Sequence, residues 1–276
     1  MTKISDYDFL GSIYKNTKVS ELDETFESIK IQTHKPKNII LVIDGFVQKN
    51  LIDLIENHSR ILPIKIIKIK KNLGLGNALR KGLKSCKSKI VLRFDTDDIN
   101  LKNRAELIVK ELEKGDVDIV GSNIYEFEKN PLIRICSKNM PLNHQSIIRT
   151  MFLKNPINHP SVGFLRKSIL KLDGGYRHFP FYEDYDLWIR AWKNGLKFKN
   201  IEEELVALRI TGQRARRKGI KIARSEFRLL LTFFEHSYLF GFLFIPSFLV
   251  RTFFALLPIK LTNLILKTFL RKKSKN

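Results

Sequence analysis

Residues 89–100 read KIVLRFDTDDIN, an apolar run of Ile90, Val91 and Leu92 that delivers Asp95, Thr96, Asp97 and Asp98 at its end. Three carboxylates this close repel one another, so the cluster is costly unless a cation or several hydrogen bonds offset it. A bound divalent metal is the first expectation. An EF-hand loop is excluded, because its fifth and sixth positions fall on Ile99 and Asn100, where an oxygen ligand and a glycine are needed. On these residues alone two other readings stay open. Asp95 and Asp97 fit the nucleophile and acid of an Asp-x-Asp phosphatase, or the segment is a solvated turn in which Asp98 or Asn100 caps a helix starting near Leu101.

The surroundings set the fold class. Short apolar runs at residues 9–13, 39–43, 64–69, 90–94 and 117–120 have the length of strands. Helical spacing separates them, in Leu22, Phe26 and Ile29 and again over residues 101–112. Strand and helix in alternation predict an α/β chain with a mostly parallel sheet covered on both faces. Ligands of such sheets gather outside the carboxyl ends of the strands. The polar residues at those ends are Tyr14, Asp44, Asn72 and the acids at 95–98, which the fold then brings to one edge. Further on, NPLIRICSKNMPLN reads as a hairpin or loop and NHPSVGFLRKSIL as a strand entering a helix. FYEDYDLWIRAWKNG is a helix stopped at Gly195, with Glu183 and Asp184 in its first turn. Acids there interact favourably with the helix dipole, so capping competes with chemistry as the reason for them.

With 276 residues and 43% hydrophobic content, the chain is long enough for one large domain or a domain with an appendage. Cys86 and Cys136 lack metal-type spacing, and no export signal precedes Asp6, so a reducing cytosolic location is expected. The formal net charge of +22 favours an anionic partner. No nucleic-acid module and no basic stripe with interleaved aromatics is present in the sequence, so nucleic acid is not the expected partner. Between His236 and Ile259 only Arg251 is charged, and Pro246 and Pro258 interrupt the run, so the fit to a spanning helix of about 20 apolar residues is imperfect. Beyond it, Lys260, Asn263, Lys267 and Arg271 share one helical face and Leu261, Ile265 and Phe269 the other, the pattern of a helix lying in a membrane interface. Lying on an anionic membrane, spanning it and packing on the domain stay open as placements of this tail. The expected organisation is a domain over residues 1–235, divided near residue 122, and a helical membrane-associating tail over residues 236–276.

In chain order, GSIYKN, SIKIQTHKPKNIILVIDG, NLGLGNALRKGL, RFDTDD, NHPSVGFLRK, LDGGYR and FYEDYDLWIRAWKNG resemble the segments of family 2 inverting glycosyltransferases of the GT-A fold. The likeness is greatest to bacterial enzymes that build exopolysaccharide, capsule and O-antigen units, and it covers nearly the whole chain. It implies a Rossmann-like domain that moves a sugar from a nucleoside-diphosphate sugar, with UDP the expected nucleotide, to a hydroxyl of a lipid-linked saccharide. The apolar face and clustered Lys and Arg of the tail are expected to bind the enzyme peripherally to the inner face of the cytoplasmic membrane. By the same resemblance, Tyr14 stacks on the nucleobase and Asp44 accepts from its ring N–H. Asn72, Gly74 and Arg80 approach the nucleotide, and Asp95 lies near the ribose. Asp97 and Asp98 meet Mn²⁺ or Mg²⁺ and the diphosphate, and Asp184 is the base with Glu183 beside it. In TGQRARRKG, Gln213, Arg216 and Arg217 contact a diphosphate or the acceptor. The family often carries two acids where this chain has Ile43-Asp44. His159 is either an extra metal or phosphate contact or a hydrogen-bonded structural histidine beside Pro160.

The implied chemistry suits these residues. A sugar leaving a diphosphate passes through an oxocarbenium-like state while charge grows on the leaving group. Hard divalent ions need only one or two protein carboxylates plus the diphosphate oxygens, and the attacking hydroxyl needs a carboxylate base. A phosphatase normally carries Asp-x-Asp near its first strand, whereas four alternating units precede it here. A non-enzymatic basic lipid- or nucleic-acid-binding protein accounts for the charge and the tail but not for the polar residues at the strand ends.

Overall fold

The computed structural model describes residues 4–210, 219–258 and 261–262. In chain order its first half runs β1 (Tyr7–Ile13), α1 (Val19–Lys30), β2 (Asn38–Asp44), α2 (Lys49–Ser59), β3 (Ile64–Ile69), α3 (Leu75–Ser85), β4 (Ile90–Arg93), β5 (Ile99–Asn100), α4 (Arg104–Glu113) and β6 (Ile119–Phe127). The second half runs β7 (Cys136–Lys138), α5 (His144–Met151), a single 3-10 turn (His159–Ser161), β8 (Gly163–Leu165), α6 (Arg166–Leu170), α7 (Glu183–Lys193), β9 (Phe198–Arg209), α8 (Ile220–His236) and α9 (Tyr238–Leu256).

Period-two patterning explains the two covered faces. Along β2, Ile39, Leu41 and Ile43 enter one core with Leu22, Phe26 and Ile29 of α1, whereas Ile40 and Val42 enter the other with Leu79 and Leu83 of α3. Phe9 and Ile13 of β1 follow the first set and Leu10 the second. The sheet order is β3-β2-β1-β4-β8-β6-β9-β5, with β7 beside β6. The β3-β2-β1-β4 unit is parallel throughout, and β9 also runs parallel to β6. The short β8 is antiparallel to both of its neighbours.

The five strands expected from the apolar runs are β1 to β4 and β6, and the segment entering a helix is β8 with α6. Ile13 lies opposite Ile43, Asp44 opposite Ile69, and Leu10 opposite Arg93, so the carboxyl ends of β1, β2, β3 and β4 share one edge. Two expectations change. The helix after the acid cluster begins at Arg104, with Asn103 as N-cap and no capping side chain, so neither Asp98 nor Asn100 caps it. Ile99 and Asn100 instead pair with β9, a strand that the acidic stretch Glu202-Glu203-Glu204 concealed in the sequence.

α8 and α9 pack as a pair on α7. Phe233 of α8 meets the Tyr185 ring edge-on at 6.4 Å and stacks on Phe244 of α9 at 4.3 Å. Position 236 is the end of α8, and the chain turns at Ser237 into α9. The 19-residue α9 continues through Pro246 and has a mean hydropathy of 1.9, long and apolar enough to cross a membrane by length and composition. Its Leu239, Phe242, Leu249, Phe253 and Leu256 are exposed. Lys260, Asn263, Ile265, Lys267, Phe269 and Arg271, which carry the amphipathic pattern, lie outside the described residues.

Candidate active site

The edge formed by the strand ends is built first from backbone turns. Tyr14 follows β1 in a turn closed by Thr17 N–H donating to Tyr14 O at 3.0 Å, and its ring is partly exposed. Asp44, the last residue of β2, is buried, and its Oδ1 and Oδ2 accept the N–H groups of Leu73 and Gly74 at 2.8 and 2.9 Å. Asn72 Nδ2–H donates to Asp44 O at 3.1 Å. One carboxylate thus ties β2 to the turn that starts α3. Gly74 occupies that turn at φ 85°, a conformation that costs glycine little.

The second residue of α3 sets the next contact. A Cβ on Gly76 would lie 1.9 Å from the Arg177 carbonyl oxygen and 3.3 Å from Glu183 Cβ, so only glycine lets α3 approach the segment leading into α7. Arg80, one turn on, has Asp173 Oδ1 at 3.7 Å and joins α3 to that same segment.

The acid cluster sits where β4 ends. Single carboxylate oxygens of Asp95, Asp97 and Asp98 all lie within 4.8 Å of one another. Burial first, and the Asp95 charge second, push the Asp97 carboxyl up to about 6 and raise Asp98 well above the usual carboxylate range. Two arginines offset the repulsion. Arg93 is buried directly beneath and pairs with Asp95 Oδ1; burial opposes its charge, but Asp95 outweighs this and holds the guanidinium above its ordinary value. Arg209, at the end of β9, donates its backbone N–H to Asp98 Oδ1 at 2.9 Å and its Nε–H to Asp97 O at 3.0 Å. Asp98 Oδ2 is buried with no hydrogen-bond partner among the described residues. Three clustered carboxylates, one of which keeps an unpartnered oxygen, fit a divalent cation.

Glu183 and Asp184 open α7, yet their surroundings differ. Glu183 feels Arg93 and Asp95, and burial first and Asp184 second push its carboxyl up to about 7. Asp184 Oδ1 accepts the Tyr185 N–H at 2.8 Å, and its Oδ2 accepts from Asn155 Nδ2–H at 2.6 Å. Asp184 lines a cleft of about 440 Å³ that also touches α8 and α9. His159 is buried against Tyr176, its Nε2 3.0 Å from the phenol oxygen, and burial and then Arg93 hold its pKa well below the ordinary value. That is the environment of a structural histidine.

The fold therefore groups Asp44 with Asn72 and Gly74, and Asp95 with Asp97 and Asp98, and it brings Glu183 within electrostatic reach of the second group. Gln213, Arg216 and Arg217 lie outside the described residues. Arg93, Asn155 and Arg209 are the residues that sequence reasoning missed. A charge inside the apolar run was the one available signal for Arg93, and Arg209 reaches Asp98 across 111 residues of chain.

The sequence model of glycosyl transferase family 2 matches residues 13–173. The chain is 37% identical over 268 residues to the UDP-Gal:alpha-D-GlcNAc-diphosphoundecaprenol beta-1,3-galactosyltransferase of Escherichia coli, covering 96% of this chain and 97% of that one. It is 33% identical over 264 residues to the amylovoran biosynthesis glycosyltransferase AmsE of Erwinia amylovora, covering 94% and 97%. Among solved structures, S. aureus TarS in complex with UDP-GlcNAc superposes with a TM-score of 0.69 at 14% identity, over 90% of this chain and 72% of that one, which supports the GT-A fold. The chain is a glycosyltransferase and belongs to glycosyl transferase family 2.

Proposed function

We propose that the protein transfers a sugar from a UDP-sugar, with inversion, to a hydroxyl of a lipid-linked saccharide during synthesis of a bacterial cell-surface polysaccharide. The observation that carries this reading is the convergence of the strand-end turn, the acid cluster and the acidic start of α7 on one sheet edge. The similarity to a galactosyltransferase named for a diphosphoundecaprenol acceptor supports the acceptor class, and the TarS complex with UDP-GlcNAc supports the donor class.

In this reading Tyr14 stacks on the nucleobase. Asp44 keeps lone pairs beyond its two backbone bonds to accept the ring N–H, since an ionised carboxylate offers about four acceptor sites. Asn72 and Gly74 line the nucleotide, Arg80 supports that turn through Asp173, and Asp95 faces the ribose. Asp97 and Asp98 would hold Mn²⁺ or Mg²⁺, which supplies countercharge to the departing diphosphate. Asp184 accepts the proton of the acceptor hydroxyl as its oxygen bonds to the anomeric carbon. The bond to the diphosphate breaks on the opposite face, so the configuration inverts. Gln213, Arg216 and Arg217 meet a diphosphate or the acceptor. The apolar α9 and the basic end of the chain hold the enzyme on the cytoplasmic leaflet, each basic residue near an anionic surface adding about 1 kcal/mol. A phosphatase or a non-enzymatic binder does not fit a member of this family, and Asp95 is tied to Arg93 rather than presented as a nucleophile.

The test is a panel of nucleoside-diphosphate sugars screened with Mn²⁺ for protection against thermal unfolding. A donor at about 100 times its Kd stabilises the native state by about 2.7 kcal/mol. A UDP-sugar should raise the midpoint, and chelator should abolish the rise. No shift with any donor, or a shift indifferent to chelator, overturns the reading.

A further inference from the structure

We propose that the cleft between the start of α7 and the α8–α9 pair is the seat of a membrane lipid diphosphate, the carrier of the acceptor sugar, with its phosphates held by Lys138 and Lys154. This rests on the reading of the chain as a transferase to a lipid-linked saccharide and adds where that lipid lies.

Its volume, about 440 Å³, falls in the range of small-molecule sites. Its wall carries three kinds of chemistry. Asp184 and the Asn155 amide bonded to it are one, Lys138 and Lys154 are a second, and Val250 and Phe254 of α9 are an apolar third. The apolar side continues outward, because Leu153, Leu249, Val250 and Phe253 are all exposed. The cleft is also one connected unit. Ser247 of α9 donates its hydroxyl hydrogen to Leu153 O at 2.9 Å, and two residues later Asn155 donates to Asp184. The helix with the membrane-type composition thus forms a wall of the same cleft that holds the proposed base.

Three features of a lipid diphosphate answer these three surfaces. A polyprenyl-type chain covers the exposed apolar face, a multiply charged diphosphate suits two lysines, and a sugar hydroxyl suits a carboxylate. Electrostatics assigns the groups, since a diphosphate placed against Asp184 would meet like charge. The phosphates therefore belong at the lysines and the sugar at Asp184. A free oligosaccharide would leave the exposed apolar wall uncovered. The nucleotide's own diphosphate is assigned to the acid cluster.

The test measures binding of phytanyl diphosphate in dodecyl maltoside micelles to the full chain, in parallel with Mn²⁺-dependent binding of UDP. Wild type should retain phytanyl diphosphate in preference to phytanol. Lys138→Glu/Lys154→Glu should weaken that binding by about tenfold or more, the scale of losing charge-assisted hydrogen bonds, while UDP binding persists and shows the variant folded. Equal retention of phytanyl diphosphate by wild type and variant, or equal retention of phytanol, overturns the proposal. Charge-dependent capture of the lipid without any UDP binding by wild type supports the cleft and counts against the donor reading instead.

Discussion

Arg251 donates from Nε to Glu226 Oε1 at 3.0 Å, and the same oxygen accepts the hydroxyl hydrogen of Tyr182, the residue before Glu183 and Asp184. The guanidinium also lies 5.1 and 5.2 Å from the Tyr182 and Tyr185 ring centroids. The sole charge of α9 is thus turned into the protein, against the N-cap of α7, and the outward face of α9 stays apolar. Arg251→Leu strands Glu226, which is 2% exposed, and should cost about 3–5 kcal/mol, read as a lower urea midpoint. Arg251→Leu/Glu226→Leu should recover most of the loss. Equal destabilisation by the single and double variants would show that the pair itself adds nothing.

Asp97 weakens the metal-free fold where it is ionised. Its folded pKa of about 6 lies above its ordinary value of 3.8, so its contribution is favourable below the lower value and is lost as pH rises through the higher one. Asp97→Asn should therefore raise the thermal midpoint of the metal-free protein at pH 8, by the equivalent of about 3 kcal/mol, and change it little near pH 3. The same variant should lose Mn²⁺-dependent protection by UDP. A variant no more stable than wild type at pH 8 in chelator would show that the acid cluster carries no penalty.

What the sequence revealed, and what it hid, follows from the range of the interactions. The strands up to β4 are apolar runs bounded by turns, and the acids at 95–98 are a local cluster, so both were legible. In β9 the stretch Glu202-Glu203-Glu204 breaks the alternation, because Glu204 faces outward to Arg134 and Ser137. With the strand hidden, so was Arg209. Asn155 lies in a loop whose only distinction is its distant partner, Asp184. Pro246 and Arg251 argued against a continuous helix over 238–256, yet α9 accommodates both, Arg251 by the ion pair to Glu226.

Gly76→Ala tests the joint between the 72–74 turn and α7. The added carbon would overlap the Arg177 carbonyl oxygen, a backbone atom that no rotamer change can move. Overpacking of this kind costs about 1–3 kcal/mol, and here it also pushes the 72–74 turn away from α7. Both the urea midpoint and the affinity for UDP should fall. Full retention of UDP affinity would detach the joint from donor binding.

The two acids that open α7 are separable by what each variant retains. Asp184→Asn keeps an oxygen for the Tyr185 N–H, and its new amide N–H can donate to the Asn155 side-chain oxygen once that amide turns over, so folding and Mn²⁺-dependent UDP binding should persist. It cannot take a proton, and transfer should fall by a factor on the order of 10² or more, the usual scale for losing a positioned base. Glu183 titrates near 7, held up by burial first and by the Asp184 charge second. In the proposed reaction its protonated form would keep a second negative charge away from the departing diphosphate. Wild-type transfer should then decline as pH rises above about 7, and Glu183→Gln should remove that decline while keeping most of the activity below it. The opposite pattern, near-normal transfer by Asp184→Asn with wild-type activity rising through about 7 and lost in Glu183→Gln, would move the base from Asp184 to Glu183.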